Sequence, residues 1–353
     1  MSVRYQSLLR YVAFGILLST GGCGLFDAPE TCTDGIQNQN ETGVDCGGVC
    51  NACETCDDGI KNQDETATDC GGVCAPCTAE MLKRDSVIAE YNTVYLQTEV
   101  TDTGWTGNTA SCTAGTVSQD THNKVIARIN YFRKLVGLND NTTLDASFFD
   151  QMQQTVLMMH ANGTIDHFPP NTWACWTQSG YDGAGITNLA TTHSTAAVTL
   201  FIEDPGSFNH AVGHRRWILH SDKTQFSYGT TSQYMALTIT GVAGGNTKIP
   251  DFIAYPPGTY VPQQLVFPKW SFSIPSADFT SANVAMTGPD GNVTLTIISR
   301  TDNGYGDNTI VWEPQGIVTN SPSDVEYTVT VTGVLNAAQA DYTYKTTIVD
   351  PGN

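Results

Sequence analysis

Apolar residues follow three different spacings along this chain. From 32 to 77 large apolar side chains are nearly absent. From 118 to 202 they recur every three or four residues, the period of a helix that buries one face. Val125, Ile129, Phe132 and Val136 predict a first helix, capped by Asp120 or Thr121 and ended by Gly137. Phe148, Met152, Val156 and Met159 predict a second, starting at Asp145 or Ser147 and followed by Gly163. A third is predicted over 194–202. Beyond Gln225 the pattern changes to short β-rich runs at 234–240, 283–286, 293–299, 309–312, 327–331 and 342–349, with turns at Pro289-Asp290-Gly291 and Asn303-Gly304. The expected class is α+β, with a helical middle followed by a separate β-sandwich. Residues 79–116 read as a polar spacer with one short element near 87–96.

The apolar-poor stretch is a repeat. Fifteen of 22 positions are identical between Cys32–Cys53 and Cys56–Cys77, each carrying four cysteines. Without a core, such units need disulfides or metal. Residues 1–22 read as an export signal: Arg4 and Arg10, a short apolar run, then small residues. Ser19-Thr20-Gly21-Gly22 directly before Cys23 resemble a bacterial lipobox, which implies that Cys23 becomes a lipidated first residue. Gly24 in place of Asp favours the outer membrane if the envelope is Gram-negative. The expected location is the bacterial cell envelope, lipid-anchored, or the extracellular surface.

Cysteine arithmetic follows from that compartment. Of eleven cysteines, one takes lipid and eight belong to the repeats. Cys112 and Cys175 remain as an even pair, so a disulfide between them is expected. Charge is concentrated in the same region. Twelve acidic residues and one lysine lie between Asp27 and Glu80, out of a net charge of −19. Nucleic acid is a poor partner for that surface. Asp34, Asn38, Glu41 and Asp45 recur as Asp58, Asn62, Glu65 and Asp69. They read either as oxygen ligands for Ca2+ or as the solvated acidic face of a disulfide knot.

Three pieces of the middle region belong together: Asp166-His167-Phe168-Pro169-Pro170, Gly185-Ile186-Thr187-Asn188-Leu189-Ala190, and Asn209-His210-Ala211-Val212-Gly213-His214-Arg215-Arg216-Trp217-Ile218-Leu219. In this order they resemble the CAP superfamily of cysteine-rich secretory, antigen 5 and pathogenesis-related proteins, over about residues 117–229. His122-Asn123 and residues 128–137 are similar to that family's opening helix. The resemblance implies an α-β-α sandwich with two histidines and two acids lining a shallow cleft, where some members bind divalent metal, often zinc. It places His167 and His214 as the two histidines and as the metal ligands. Asn188 belongs to the same cleft. Thr187 stands where the family has a glutamate, and the second acid is Glu203 or Asp204.

The domain reading is therefore 1–22 signal, 23–78 two disulfide-rich repeats, 79–116 spacer, 117–240 CAP-like domain and 241–353 β-sandwich. Ser179, Ser194 and Ser207 sit in no nucleophile motif, and Thr187 removes the obvious general base, so binding is favoured over turnover. The resemblance implies a small hydrophobic ligand, an envelope polymer or a partner surface protein. Two rival readings are a metal-dependent hydrolase of peptide or glycan, and an adhesion protein. The latter would act through an exposed aromatic patch at 255–260 or Trp270-Ser271-Phe272. Trp217 reads as core. Trp173, Trp176 and Tyr181 read as core or cleft wall.

Overall fold

A computed structural model describes residues 32–353, apart from 34, 39, 43, 51–55, 57–58, 60, 62–64, 73, 241–248, 301–303 and 353. The signal segment, Cys23 and Cys53 lie outside the described residues. Two compact units are present, Met1–Asp58 and Gly59–Asn353.

In the first unit Cys32 is bonded to Cys50. Its repeated acidic residues serve the backbone. Glu41 Oε2 accepts from the Asn38 amide at 3.0 Å, and Asp45 Oδ2 accepts from the Gly35 amide at 2.8 Å. In the larger unit Cys70 is bonded to Cys77, and Asp69 accepts from the Gly59 amide at 3.0 Å. Carboxylates thus close turns that no hydrophobic core supports.

The segment read as a spacer is folded. Helix α1 spans Ala79–Glu90 and continues through one π turn at Tyr91–Tyr95. Arg84 makes a two-pronged ion pair with Asp324 at 2.8 and 3.0 Å, and Tyr95 lies under the Arg128 guanidinium at 3.8 Å. Local polarity hid this helix because its partners lie far along the chain.

Helix α2 spans Gln119–Leu135 and is capped by Ser118, not by Asp120 or Thr121: the Ser118 hydroxyl accepts from the Thr121 amide. After the two-residue strand β1, Thr143–Leu144, helix α3 spans Phe149–Asn162, and Gly163 at φ 67° ends it. Helix α4 (Gln178–Ala184), strand β2 (Thr187–Ala190), helix α5 (Ser194–Glu203) and helix α6 (Gly213–Ile218) follow. Strand β3 (Gln225–Phe226) pairs with β1. Strands β4 (Tyr228–Thr230) and β5 (Met235–Thr238) join β2 in an antiparallel sheet ordered β2-β5-β4. Alternation along this sheet feeds two cores. Leu189 and Ala236 face Val156 and Met159 of α3, whereas Ala190, Met235 and Leu237 belong with Ile129, Phe132 and Phe201 of α2 and α5. The result is an α-β-α sandwich. Gly229 is needed where α3 crosses β4, since a Cβ there would lie 2.3 Å from the Met152 backbone.

The C-terminal strands are β6 (Ile253–Tyr255), β7 (Tyr260–Pro262), β8 (Trp270–Ser273), β9 (Asn283–Gly288), β10 (Gly291–Asn292), β11 (Leu295–Ser299), β12 (Thr309–Pro314), β13 (Val325–Thr332) and β14 (Tyr342–Val349). They form sheets ordered β10-β9-β13-β14-β7 and β11-β12-β8-β6. The sheets face each other: Trp270 meets Tyr327 edge-on at 6.2 Å, and the Trp312 indole donates to Met286 Sδ. Tyr255, Trp270 and Phe272 are 0–1 % exposed and Tyr260 is half-buried, so neither segment offers the expected exposed aromatic patch. The sandwich is not a separate body either. Its inner residues and those of α2 and α5 make one continuous core. Arg215 explains the union. Its guanidinium donates to Ile202 O and Glu203 O at the end of α5 and to Lys269 O and Ser271 Oγ of the sandwich, and stacks over Tyr255. Burial lowers the Arg215 pKa to about 10, and the four acceptors offset the loss of water. Cys112 is bonded to Cys175, tying the loop before α2 to the loop before α4. Among the described residues no helix is long and apolar enough to cross a membrane.

Candidate functional site

Helix α3 ends at Gly163, and the chain then turns at Asp166, whose Oδ1 accepts from the Phe168 amide at 2.8 Å. This turn presents His167. Its Nδ1 lies 2.8 Å from the Ala184 carbonyl. A carbonyl can only accept, so Nδ1 carries the proton and Nε2 is left as the free position of the neutral ring. The Thr187 hydroxyl donates to the same carbonyl at 3.2 Å. At the family's glutamate position, then, stands a buried hydroxyl that helps hold the acceptor orienting His167.

The second histidine is oriented by a carboxylate. Helix α5 ends at Asp204, which adopts the left-handed conformation at φ 52°. That turn sends its fully buried carboxylate toward the start of α6. Oδ1 accepts from His214 Nδ1 at 2.7 Å, and Oδ2 accepts from the His214 amide at 2.9 Å. Again Nδ1 is engaged and Nε2 is free. Asn188, on β2, donates from Nδ2 to the His214 carbonyl at 3.2 Å. Lys269 of the sandwich holds the Asp204 carbonyl at 2.6 Å.

His167 and His214 line the same two hollows. One, of about 310 Å³, has walls from Leu189, Leu200 and Phe201 and reaches Asp204. The other, of about 450 Å³, is aromatic, with Phe168, Phe208, Trp217 and Tyr305 around it. Phe208 is 95 % exposed and Phe168 73 %. Trp217, read as core, is half-buried on this wall. Tyr305 comes from the sandwich and packs against α6 where Gly213 leaves room: a Cβ there would lie 3.0 Å from the Tyr305 ring.

Other candidates sit elsewhere. Glu203 faces a hollow with His210, Lys269 and Glu313 that contains neither His167 nor His214, so Asp204 is the acid of the pair. Trp173, Trp176 and Tyr181 line neither histidine hollow, and the Trp176 indole donates to Pro169 O. Phe208 and Tyr305 were missed by sequence reasoning. Phe208 is an isolated apolar residue in a polar turn, a detectable if weak signal. Tyr305 looked like part of a β-turn.

The donors fit a zinc site incompletely. His167 and His214 offer two nitrogens, while Asp204 is spent on His214 and the backbone, and Thr187 offers no charge. Among the described residues, one trio is close enough to share an ion: Cys32, Glu41 and Cys50. Its two sulfurs are bonded to each other and are not thiolates.

Residues 126–235 match the family model CAP, the Cysteine-rich secretory protein family. No curated protein and no solved structure matches the chain. The matched span contains His167, Asn188, Asp204 and His214 and stops before the sandwich that supplies Tyr305. The chain carries a CAP domain, and the sandwich that follows it adds a wall to the paired-histidine cleft.

Proposed function

We propose that this is a lipid-anchored envelope protein whose CAP domain holds a ligand with an apolar face and does not turn it over. The observation that carries this reading is the pair of exposed phenylalanines, Phe168 and Phe208, beside two oriented imidazoles in one hollow. Large apolar side chains left in water at a concave site mark recognition surfaces. The chemistry for hydrolysis is thin. His214 backed by Asp204 could act as a base, but the hydroxyls lining the hollows are those of Thr187, Thr191 and Tyr305, none of them a serine or cysteine, and that of Thr187 is donated to Ala184 O. A divalent cation such as Zn2+ would be held by the two Nε2 atoms, leaving the rest of a tetrahedral shell to ligand or water. Glu41, Asp45 and Asp69 accept from backbone amides of their own turns, which favours a structural role for them over Ca2+ binding.

Nile red, a neutral apolar dye, tests the cleft. Its fluorescence should rise on binding the full chain, and Phe168→Ser/Phe208→Ser should abolish that rise while the melting temperature stays within a few degrees. An unchanged signal in the double variant removes the cleft from the proposal. Anchoring is tested separately: Cys23→Ala should move the protein from the membrane fraction to the soluble one, and a mutant that still sediments with membranes ends the lipid reading.

A further inference from the structure

We infer that the head of the cleft's ligand is a neutral sugar whose hydroxyls donate to His167 Nε2 and His214 Nε2; this rests on the reading of the cleft as a binding site for a ligand with an apolar face. Tautomers carry the argument. His167 Nδ1 faces the Ala184 carbonyl and His214 Nδ1 faces the Asp204 carboxylate, two groups that only accept. Both neutral rings therefore keep their proton on Nδ1, and each offers a lone-pair acceptor at Nε2. Both histidines line both hollows, so one ligand meets two acceptors. A matching head supplies more than one polar hydrogen. A ketone, an ester or a carboxylate supplies none, and a simple alcohol supplies one.

The rest of the lining narrows the class. Among the described residues the two hollows carry Asp166 and Asp204 but no lysine or arginine, so an anionic head meets only like charge. An ammonium head finds no free buried carboxylate either: His214 takes both Asp204 oxygens, and Asp166 is exposed. A pyranose meets the remaining demands. Its hydroxyls stand at the ring edge, several on one residue, and its C–H face packs against the negatively polarised face of an aromatic ring. Phe168, Phe208 and Tyr305 are 73 %, 95 % and 44 % exposed around the hollow of about 450 Å³, with Trp217 half-buried beside them. Open rings next to two acceptors suit a face and an edge on one molecule. A plain hydrocarbon would use the rings and leave both imidazoles without a donor.

Phenyl glycosides of glucose, galactose and mannose make the test, each beside its tetra-O-methyl ether, which keeps the oxygens and loses the polar hydrogens. They are titrated into the full chain by saturation-transfer NMR. At least one glycoside should saturate below ~10 mM, and its ether should bind at least about fivefold more weakly. His167→Phe, which keeps a ring at an exposed position and removes one acceptor, should reduce that preference at least about threefold. The inference is overturned by no saturable binding of any glycoside, by ethers that bind as well, by an unchanged preference in His167→Phe, or by phenethylamine binding more tightly than all three glycosides. Nile red separates the two readings. If the dye responds as expected and the glycosides do not bind, sugar recognition falls and the apolar cleft stands. If the dye response is unchanged in Phe168→Ser/Phe208→Ser, both fall.

Discussion

The Thr187 hydroxyl and the His167 Nδ1–H meet on one acceptor, the carbonyl oxygen of Ala184. A carbonyl has two lone pairs, and here one takes the imidazole and the other the Thr187 hydroxyl. The threonine therefore supports the cleft histidine from behind and adds no charged ligand at position 187.

That relationship predicts the metal behaviour. Wild-type protein should bind Zn2+ weakly, and less at acid pH, because an imidazole must be free of its second proton to ligate. Thr187→Glu adds a carboxylate beside His167 and should tighten Zn2+ by at least about tenfold in calorimetry. Thr187→Val adds no donor and should bind no better than wild type. Equal affinities in all three would show that position 187 does not control the metal.

Asp204→Asn should cost about 2 kcal/mol in urea denaturation, since the amide can replace only some of the bonds made by a buried carboxylate to His214 and its backbone. The His214 ring should also lose its fixed tautomer, visible in its nitrogen chemical shifts. A stability change under about 0.5 kcal/mol, within the range of an ordinary surface substitution, would mean that the pair is not held as described.

His122 and His160 make the fold sensitive to acid. Burial lowers both pKa values from 6.5. His122 stacks on Phe149 with its Nδ1 2.9 Å from the Tyr228 hydroxyl, and His160 lies between Trp105 and Tyr234. Below 6.5 the unfolded chain takes up protons that the folded chain refuses, so stability falls as pH drops. The loss ends once the lowered folded-state pKa is passed. Each histidine can contribute up to about 1.4 kcal/mol per pH unit in that window. His122→Gln/His160→Gln should flatten the dependence of melting temperature on pH just below 6.5; an unchanged slope would assign it to other groups.

The Cys112–Cys175 bridge closes a loop with a sequence separation of 63. Chain entropy predicts a loss of about 4 kcal/mol in Cys112→Ser/Cys175→Ser. Denaturation of the double variant under oxidising conditions measures it. A loss under about 1 kcal/mol would mean that the unfolded chain is already restricted around this loop or that the bridge strains the native state.

Much of this protein was legible before any coordinates. Helices α2, α3 and α5 and strands β5, β9 and β11 to β14 were found because their apolar spacing is local, whereas β6, β7 and β8 were not. The histidines of the cleft came from three short pieces in a recognisable order. What sequence could not decide depends on where distant segments meet. Glu203 and Asp204 are adjacent and chemically alike; only the left-handed turn at Asp204 aims one carboxylate at the first turn of α6. Ser118 outcompeted Asp120 and Thr121 as a cap because its hydroxyl reaches the Thr121 amide. Within the polar stretch 79–116, Ala79–Glu90 is a helix whose Arg84 is held by Asp324, more than two hundred residues on. Tyr305 lines the cleft because the sandwich shares its core with α2 and α5, a union made by Arg215. Periodicity is written residue by residue, but convergence of side chains is set by the path of the whole chain.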